Sequence, residues 1–272
     1  MARQKLGQHF LADPGWREKI AREIGISPHG MRGAQPLPPN SCWIEIGAGH
    51  GEMTEQLAAS GSPVYAIELD PLLVAKLQML RDRCPNLAVI QGDILEVNLS
   101  EIAAGRRVYI YGNLPYYITS PILHRMFGFA AQIEEMHFMV QLEVAQRLTA
   151  KPGTKLYGYL SVATQFYARP ELVLCLPRGA FRPPPEVGSA LVILRPPGER
   201  ARLQLPDDKK FLDFVKLCFG QKRKTLVNNL RSIAAPESVR ELLRSFELRE
   251  DARAEQLSVA QLAALYCAML AE

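Results

Sequence analysis

The sequence predicts an α/β fold, a mostly parallel sheet covered by helices, with a small C-terminal α-helical domain. Three observations carry the prediction. Short apolar strand patterns alternate with helical ones from Trp43 to Val140. Successive strands end on glycine, acid or asparagine, as strands do where an open α/β sheet meets a ligand. From Asp207 to Glu272 the pattern is helical, broken at Pro236.

The elements follow in order. Trp43-Ile44-Glu45-Ile46 is a short strand running into Gly47, and Thr54 to Ser60 reads as helix. Val64 to Glu68 is the second strand. Pro71 to Cys84 is an amphipathic helix opened by proline, whose fixed φ suits a first turn. Leu87 to Gln91 is the third strand, ended by Gly92-Asp93. Val108 to Tyr111 is the fourth, followed by Gly112-Asn113-Leu114-Pro115. Helix resumes from Pro121 to Phe129, and Met136 to Val140 is the fifth strand. Leu172 to Leu176 and Val187 to Leu194 form a late antiparallel pair at one edge, with the stiff loop Phe181-Arg182-Pro183-Pro184-Pro185 between them. Arg195 to Pro206 reads as a linker. The expected division is a catalytic domain over residues 1–200 and a small helical domain over 201–272.

Composition narrows the class. With 48% hydrophobic and 22% charged residues the chain is an ordinary globular protein. No apolar run is long enough to span a bilayer, and Met1 to Phe10 is basic without an apolar signal core, so a cytoplasmic protein without membrane attachment is expected. Five scattered cysteines form no C-x-x-C pair and have no histidine at ligand spacing; reduced thiols are expected, and no metal site. A net charge of +4 is too mild by itself to argue for nucleic acid.

The first chemical signal is Glu45-Ile46-Gly47-Ala48-Gly49-His50-Gly51, between a strand and a helix. Glycines there permit a tight turn and close approach of a ligand to the backbone, as in Rossmann-like sheets, although the spacing is G-x-G-x-G. Glu68 ends the second strand, where a carboxylate can accept from ribose hydroxyls. Asp93 ends the third, where one can accept from an adenine amino group. Either acid alone reads equally as a helix cap or a solvated turn. With Gly47 and Gly49 they stand at three successive strand ends and describe a site for S-adenosylmethionine.

The second signal is Asn113-Leu114-Pro115-Tyr116, at the end of the fourth strand. The lone pair of an adenine amino nitrogen is conjugated with the ring and is a poor nucleophile. An Asn113 carbonyl and the Leu114 backbone carbonyl can each accept one N–H, favouring a pyramidal nitrogen whose lone pair faces the methyl donor. Pro115 stiffens the turn, and Tyr116 offers a ring for stacking on a flipped base. No strong general base is required, because the amine becomes acidic as the new bond forms.

These stretches, together with Gly7-Gln8-His9-Phe10-Leu11, Ile67-Glu68-Leu69-Asp70, Phe181 to Ser189 and Phe219 to Leu230, resemble the ribosomal RNA adenine dimethyltransferase family, and within it the members that act on small-subunit RNA. The N-L-P-Y turn is shared with other amino methyltransferases; the G-Q-H-F-L start and the F-x-P-P-P-x-V-x-S loop are more specific. The resemblance implies a class I S-adenosylmethionine-dependent methyltransferase sheet. It implies that His9 and Leu11 contact the cofactor from an N-terminal arm and that Gly47 and Gly49 admit its methionine part. Glu68 and Asp93 would hold its ribose and adenine. Asn113 and Leu114 would hold the target amine, sandwiched between Tyr116 and Phe181. It further implies two methyl groups on each of two adjacent adenosines near the end of small-subunit ribosomal RNA, or of a pre-30S particle. Ala48 stands where the family usually has proline, and the proline-bearing loop Ser27 to Asn40 is longer than usual and has no assigned role.

RNA binding requires phosphate contacts. Lys222-Arg223-Lys224 in the helical domain and Arg182 in the proline loop are the candidates, with Arg3, Lys5, Arg106, Arg107, Lys209, Lys210, Lys216 and Arg231 as further cations. Acids from Glu237 to Glu255 confine the basic patch to the first half of that domain. Two other readings compete: a large-subunit methyltransferase of the macrolide-resistance type, and an assembly factor that binds RNA on the same fold. The F-G-Q-K-R-K-T-L-x-N-N-L stretch favours the small-subunit reading, and the intact Glu68, Asp93 and Asn113 set favours catalysis. A monomer is expected.

Overall fold

A computed structural model describes residues 9–26 and 37–271. Arg3, Lys5, Gly7, Gln8 and most of the loop after Ile26 lie outside the described residues. The arm contributes β1 (Phe10–Leu11), and α1 (Pro14–Glu23) follows. Sequence periodicity did not reveal α1. Its start is nevertheless local: the Asp13 side chain accepts from Trp16 N at 3.2 Å, with proline next in the chain. The alternating part is β2 (Ser41–Ile46), α2 (Thr54–Ala59), β3 (Val64–Glu68), α3 (Pro71–Met79), β4 (Leu87–Gln91), α4 (Leu99–Ala103), β5 (Arg107–Asn113), α5 (Thr119–Gly128) and β6 (Ile133–Gln141). The helix expected to reach Cys84 ends its α-helical part at Met79. Arg83 and Cys84 both donate to the Leu80 carbonyl, and Pro85 disfavours a helical conformation at Cys84. Then come α6 (Leu142–Leu148), α7 (Tyr159–Tyr167), β7 (Arg169–Leu176), β8 (Phe181–Arg182) and β9 (Ser189–Arg195).

Seven strands form one sheet in the order β4-β3-β2-β5-β6-β9-β7. The pairs β2–β3, β3–β4, β2–β5 and β5–β6 are parallel, and β9 runs antiparallel to β6. β2 is buried along its whole length, as a central strand covered on both faces must be. Trp43, Tyr111, Met139 and Leu191 from the sheet share one apolar cluster with Ile20 and Ala21 of α1 and Leu57 of α2. From β2 the chain steps outward to β3 and β4, then returns to lay β5 on the other side of β2. That reversal opens a crevice at the carboxyl ends of β2 and β5, where open α/β sheets take ligands.

The remaining elements are helical: α8 (Arg200–Leu203), α9 (Asp208–Cys218), α10 (Leu226–Asn229), α11 (Pro236–Ser245) and α12 (Val259–Ala271). Pro236, expected as a break, opens α11. The chain divides into two compact units, residues 1–145 with 171–196, and residues 146–170 with 197–272. The second unit therefore takes α7, which the sequence reading left with the catalytic domain. Packing explains this: Phe166 of α7 lies 5.0 Å from Phe211 of α9, ring centre to ring centre, and Phe211 lies 5.7 Å from Tyr266 of α12. The segment read as a linker is tied to the same helix, because Gly198 and Glu199 donate to the carbonyls of Tyr167 and Gln165. All five cysteines are free thiols. Among the described residues no helix is long and apolar enough to cross a membrane.

Candidate active site

The glycine turn after β2 uses the conformations only glycine adopts cheaply. Gly47, Gly49 and Gly51 have φ of 69°, 60° and 89°. A Cβ built on Gly47 would meet nothing within 4 Å, so its backbone faces open space, whereas one on Gly51 would lie 2.4 Å from Leu80. Gly47 thus admits a ligand, and Gly51 lets the turn pack on the residue after α3. Glu68, at the end of β3, is 3% exposed. Its Oε2 accepts from Gly49 N at 2.9 Å, and its Oε1 from Leu69 N at 2.9 Å and Asp70 N at 3.0 Å. A carboxylate offers about four lone-pair directions, so roughly one remains for a ligand hydroxyl. Beneath it Glu45 is buried; Thr54 Oγ1 donates to its Oε2 at 2.5 Å. Burial outweighs that bond and pushes the Glu45 carboxyl up to about 8.

Asp93 plays two parts. Its Oδ1 accepts from Leu95 N at 2.8 Å and shapes the turn after β4, while Oδ2 has no hydrogen-bond partner among the described residues. Gly47, Glu68, Asp93, Ile94, Pro115 and Tyr117 line one crevice. The three strand ends that the sequence marked therefore converge in space.

Asn113 closes β5 beside the same crevice. Its Nδ2 donates to the His9 carbonyl at 2.8 Å. Leu114 N donates to Met139 O at 3.0 Å, tying the turn to β6, and no hydrogen bond to the Leu114 carbonyl is found among the described residues. Pro115 O accepts from Thr119 Oγ1 and Ile118 N, fixing the start of α5. The turn thus presents two carbonyl acceptors, Asn113 Oδ1 and Leu114 O, next to an aperture that suits an adenine-bearing cofactor.

A match to the family model described as ribosomal RNA adenine dimethylase covers residues 1–269. The chain belongs to the ribosomal RNA adenine dimethylase family. Membership makes it an S-adenosylmethionine-dependent methyltransferase, and S-adenosylmethionine is its cofactor. It is 40% identical over 276 residues to a ribosomal RNA small subunit methyltransferase A of Koribacter versatilis, covering 96% of this chain and 92% of the relative. It is 40% identical over 259 residues to the protein of the same name from Xanthomonas euvesicatoria, covering 95% and 93%. Among solved structures, a dimethyladenosine transferase from Plasmodium falciparum shares the fold with a TM-score of 0.79 at 21% identity, over 97% of this chain and 98% of the other. The 23S rRNA methyltransferase ErmE matches with a TM-score of 0.71 at 25% identity, over 97% and 100%.

The crevice of this family member fits the cofactor: Gly47 leaves room, Glu68 keeps a free acceptor direction, and Asp93 Oδ2 is open to an adenine amino group. Other expected residues are placed differently. Phe181 is 1% exposed and Leu11 is 5% exposed, both inside the apolar cluster. As placed, the Phe181 ring offers no free face to a base. In a two-residue strand alternate side chains face opposite ways, and Phe181 faces inward while its neighbour Arg182 is exposed. The side chain of Tyr116 lies outside what the structure describes. Sequence reasoning missed Tyr117, which is 61% exposed and lines the crevice. A second aromatic directly after the motif was the available signal.

In the helical unit Lys222, Arg223 and Lys224 are exposed in the turn between α9 and α10, and none of them joins an ion pair among the described residues. Asn229 shapes that turn: its Nδ2 donates to Cys218 O at 2.6 Å and Gln221 O at 3.2 Å, and its Oδ1 accepts from Gln221 N at 3.2 Å. This accounts for an asparagine in the motif. The later acids are engaged with arginines: Glu237 and Glu250 with Arg240 and Arg244, and Asp251 with Arg249. Arg182 belongs to the other unit.

Proposed function

We propose that the enzyme places two methyl groups on the exocyclic amino group of each of two adjacent adenosines near the 3′ end of small-subunit ribosomal RNA, during ribosome biogenesis in the cytoplasm. The observation that carries this reading is the pair of carbonyl acceptors, Asn113 Oδ1 and Leu114 O, directly before Pro115, which lines the same crevice as Gly47, Glu68 and Asp93. The cofactor supplies an electrophilic methyl group. Asn113 and Leu114 accept the two N–H groups of the adenine, turning its lone pair toward that methyl, and Tyr117 supplies a ring beside the opening. As the amine loses conjugation the hydrogen bonds strengthen, which lowers the barrier more than the ground state. Once the new C–N bond forms, the amine is acidic and gives up one proton to solvent. The one N–H that remains is held by one of the same acceptors, and the second transfer releases it in the same way.

The small-subunit target is supported by relatives named ribosomal RNA small subunit methyltransferase A, at 40% identity over nearly the whole chain. Lys222, Arg223 and Lys224 on the helical unit and Arg182 on the catalytic unit are the phosphate contacts in this reading, and the enzyme acts as a monomer on RNA or on a pre-30S particle.

The test is to incubate the protein with labelled S-adenosylmethionine and small ribosomal subunits lacking adenine dimethylation, with large subunits in parallel, and to digest the RNA to nucleosides. Dimethyladenosine from the small subunit alone is expected. Label in the large subunit alone would transfer the assignment to the macrolide-resistance type, and no label in either, with cofactor bound, would leave an RNA-binding assembly role.

A further inference from the structure

The arm does more than flank the site. An asparagine amide has one accepting end and one donating end, and only the accepting end suits an amine N–H. Turned the other way, Nδ2 would point its hydrogens at those of the target. Local backbone does not choose between the two orientations, because the ends of the amide have nearly the same shape. A neighbour must choose, and here that neighbour is the His9 carbonyl. A carbonyl can only accept, so the end of Asn113 that faces it at 2.8 Å must be Nδ2, and Oδ1 is turned away from the arm.

The His9 carbonyl is itself held in place. His9 Nδ1 lies 2.9 Å from the Pro183 carbonyl and donates to it. Phe10 pairs with Arg182 and Leu11 with Phe181 in an antiparallel ladder. Ala12 N and Asp13 N both donate to Ala180 O. The Phe10 ring also rests on the glycine turn, 3.1 Å from where a Gly49 Cβ would be and 4.4 Å from the His50 ring centre. The arm thus joins the cofactor turn, the proline loop and the target-binding asparagine into one clamp.

We propose that the arm is the positioning element for Asn113: through the His9 carbonyl it fixes the amide with Oδ1 toward the substrate, and the β1–β8 pairing makes the reactive orientation depend on the proline loop. The proposal rests on the reading of Asn113 as the target-amine acceptor. His9 is a positioning residue in this account, acting through Asn113.

The experiment separates the rate from cofactor affinity. In His9→Ala, which removes the bond to Pro183, kcat for methyl transfer to small subunits lacking dimethylation is expected to fall roughly 10- to 100-fold when S-adenosylmethionine is saturating for the variant, so that the loss is not one of cofactor affinity alone. His9→Asn, whose amide can donate to the same carbonyl, recovers much of that loss. Reciprocally, hydrogen exchange at residues 10–13 should speed up in both Asn113→Ala and Asn113→Asp, since neither can donate to the His9 carbonyl. Full kcat in His9→Ala, a raised Kd with kcat intact, or unchanged arm exchange in the Asn113 variants would overturn the proposal. Parent-like methyl transfer by Asn113→Ala would instead overturn the catalytic reading beneath it, so the two failures are distinct. If His9→Ala does not fold, the exchange measurement on the Asn113 variants decides.

Discussion

Glu45 and His137 are both sealed in the sheet, and burial moves them in opposite directions. The Glu45 carboxyl, usually near 4.5, is pushed up to about 8 by desolvation. The folded state holds that proton, so its contribution is full below pH 4.5 and is lost as pH rises through 8. The His137 imidazole, usually near 6.5, is pushed down to about 3, by burial first and by the Arg195 charge second, although its Nε2 lies 2.9 Å from Glu135. The folded state keeps that ring neutral, so its contribution is full above pH 6.5 and is lost as pH falls toward 3. His137→Gln should therefore lose less Tm than the parent between pH 7 and 4, and Glu45→Gln less between pH 5 and 9; a parent-like slope in either would remove that group from the account. At the site, Asn113→Ala should lower the rate of methyl transfer about 10²- to 10³-fold, as loss of a transition-state hydrogen bond does, and leave cofactor binding in place. Glu68→Ala should weaken cofactor binding by roughly 1–3 kcal/mol, read by calorimetry; an unchanged Kd would take Glu68 out of the site. That Gly47, Glu68 and Asp93 meet at one crevice was legible in the sequence because a parallel sheet gathers its strand ends, so their order along the chain already implied a meeting point. The burial of Phe181 and Leu11 was not, because which way their side chains face depends on a pairing between segments far apart in the chain, and two residues carry no period.

At the scale of elements, the local signals were read well and the tertiary ones were not. Proline announced the start of α3, and in the structure Asp70 caps it, accepting from Leu72 N at 2.8 Å. The same pairing of Asp13 with Pro14 opens α1, but Ile20 and Ala21 bury too few positions to show a helical stripe. Asp13→Ala should cost about 1 kcal/mol, the usual worth of an N-cap; since Asp13 N also bonds to Ala180 O, a normal Tm would show that the ladder alone holds the arm. The seat of α7 was hidden for a different reason. Its apolar residues fit a sheet or a helix bundle equally well, and only the Phe166–Phe211 contact decides between them. Asn229 is the comparable case for the basic turn. Asn229→Ala should leave Lys222, Arg223 and Lys224 charged but loosely held, and weaken RNA binding with little change in Tm.

For the molecule as a whole, formal charge said little, since 32 Lys and Arg nearly balance 28 Asp and Glu. What matters is which cations stand outside ion pairs. Replacing Lys222, Arg223 and Lys224 together by alanine should lower the slope of log affinity against log salt by roughly 2, as expected when about three phosphate contacts are lost from RNA; an unchanged slope would place the RNA elsewhere. The α/β class and the helical tail were legible from alternation alone, whereas the strand order was not, because β9 enters the sheet between β6 and a strand made before it. That order, with β1 pairing to β8, also gives the site a date. A ribosome extending this chain at roughly 5–20 residues per second leaves the arm without its partner for about 10–35 s, since His9 and Pro183 are 174 positions apart. The glycine turn emerges early in that interval and Asn113 past its middle, the ladder that holds them only at its end. A nascent chain halted before β8 should carry every signature motif of the catalytic sheet and still transfer no methyl groups, so that the newborn enzyme is silent toward the ribosome that is making it.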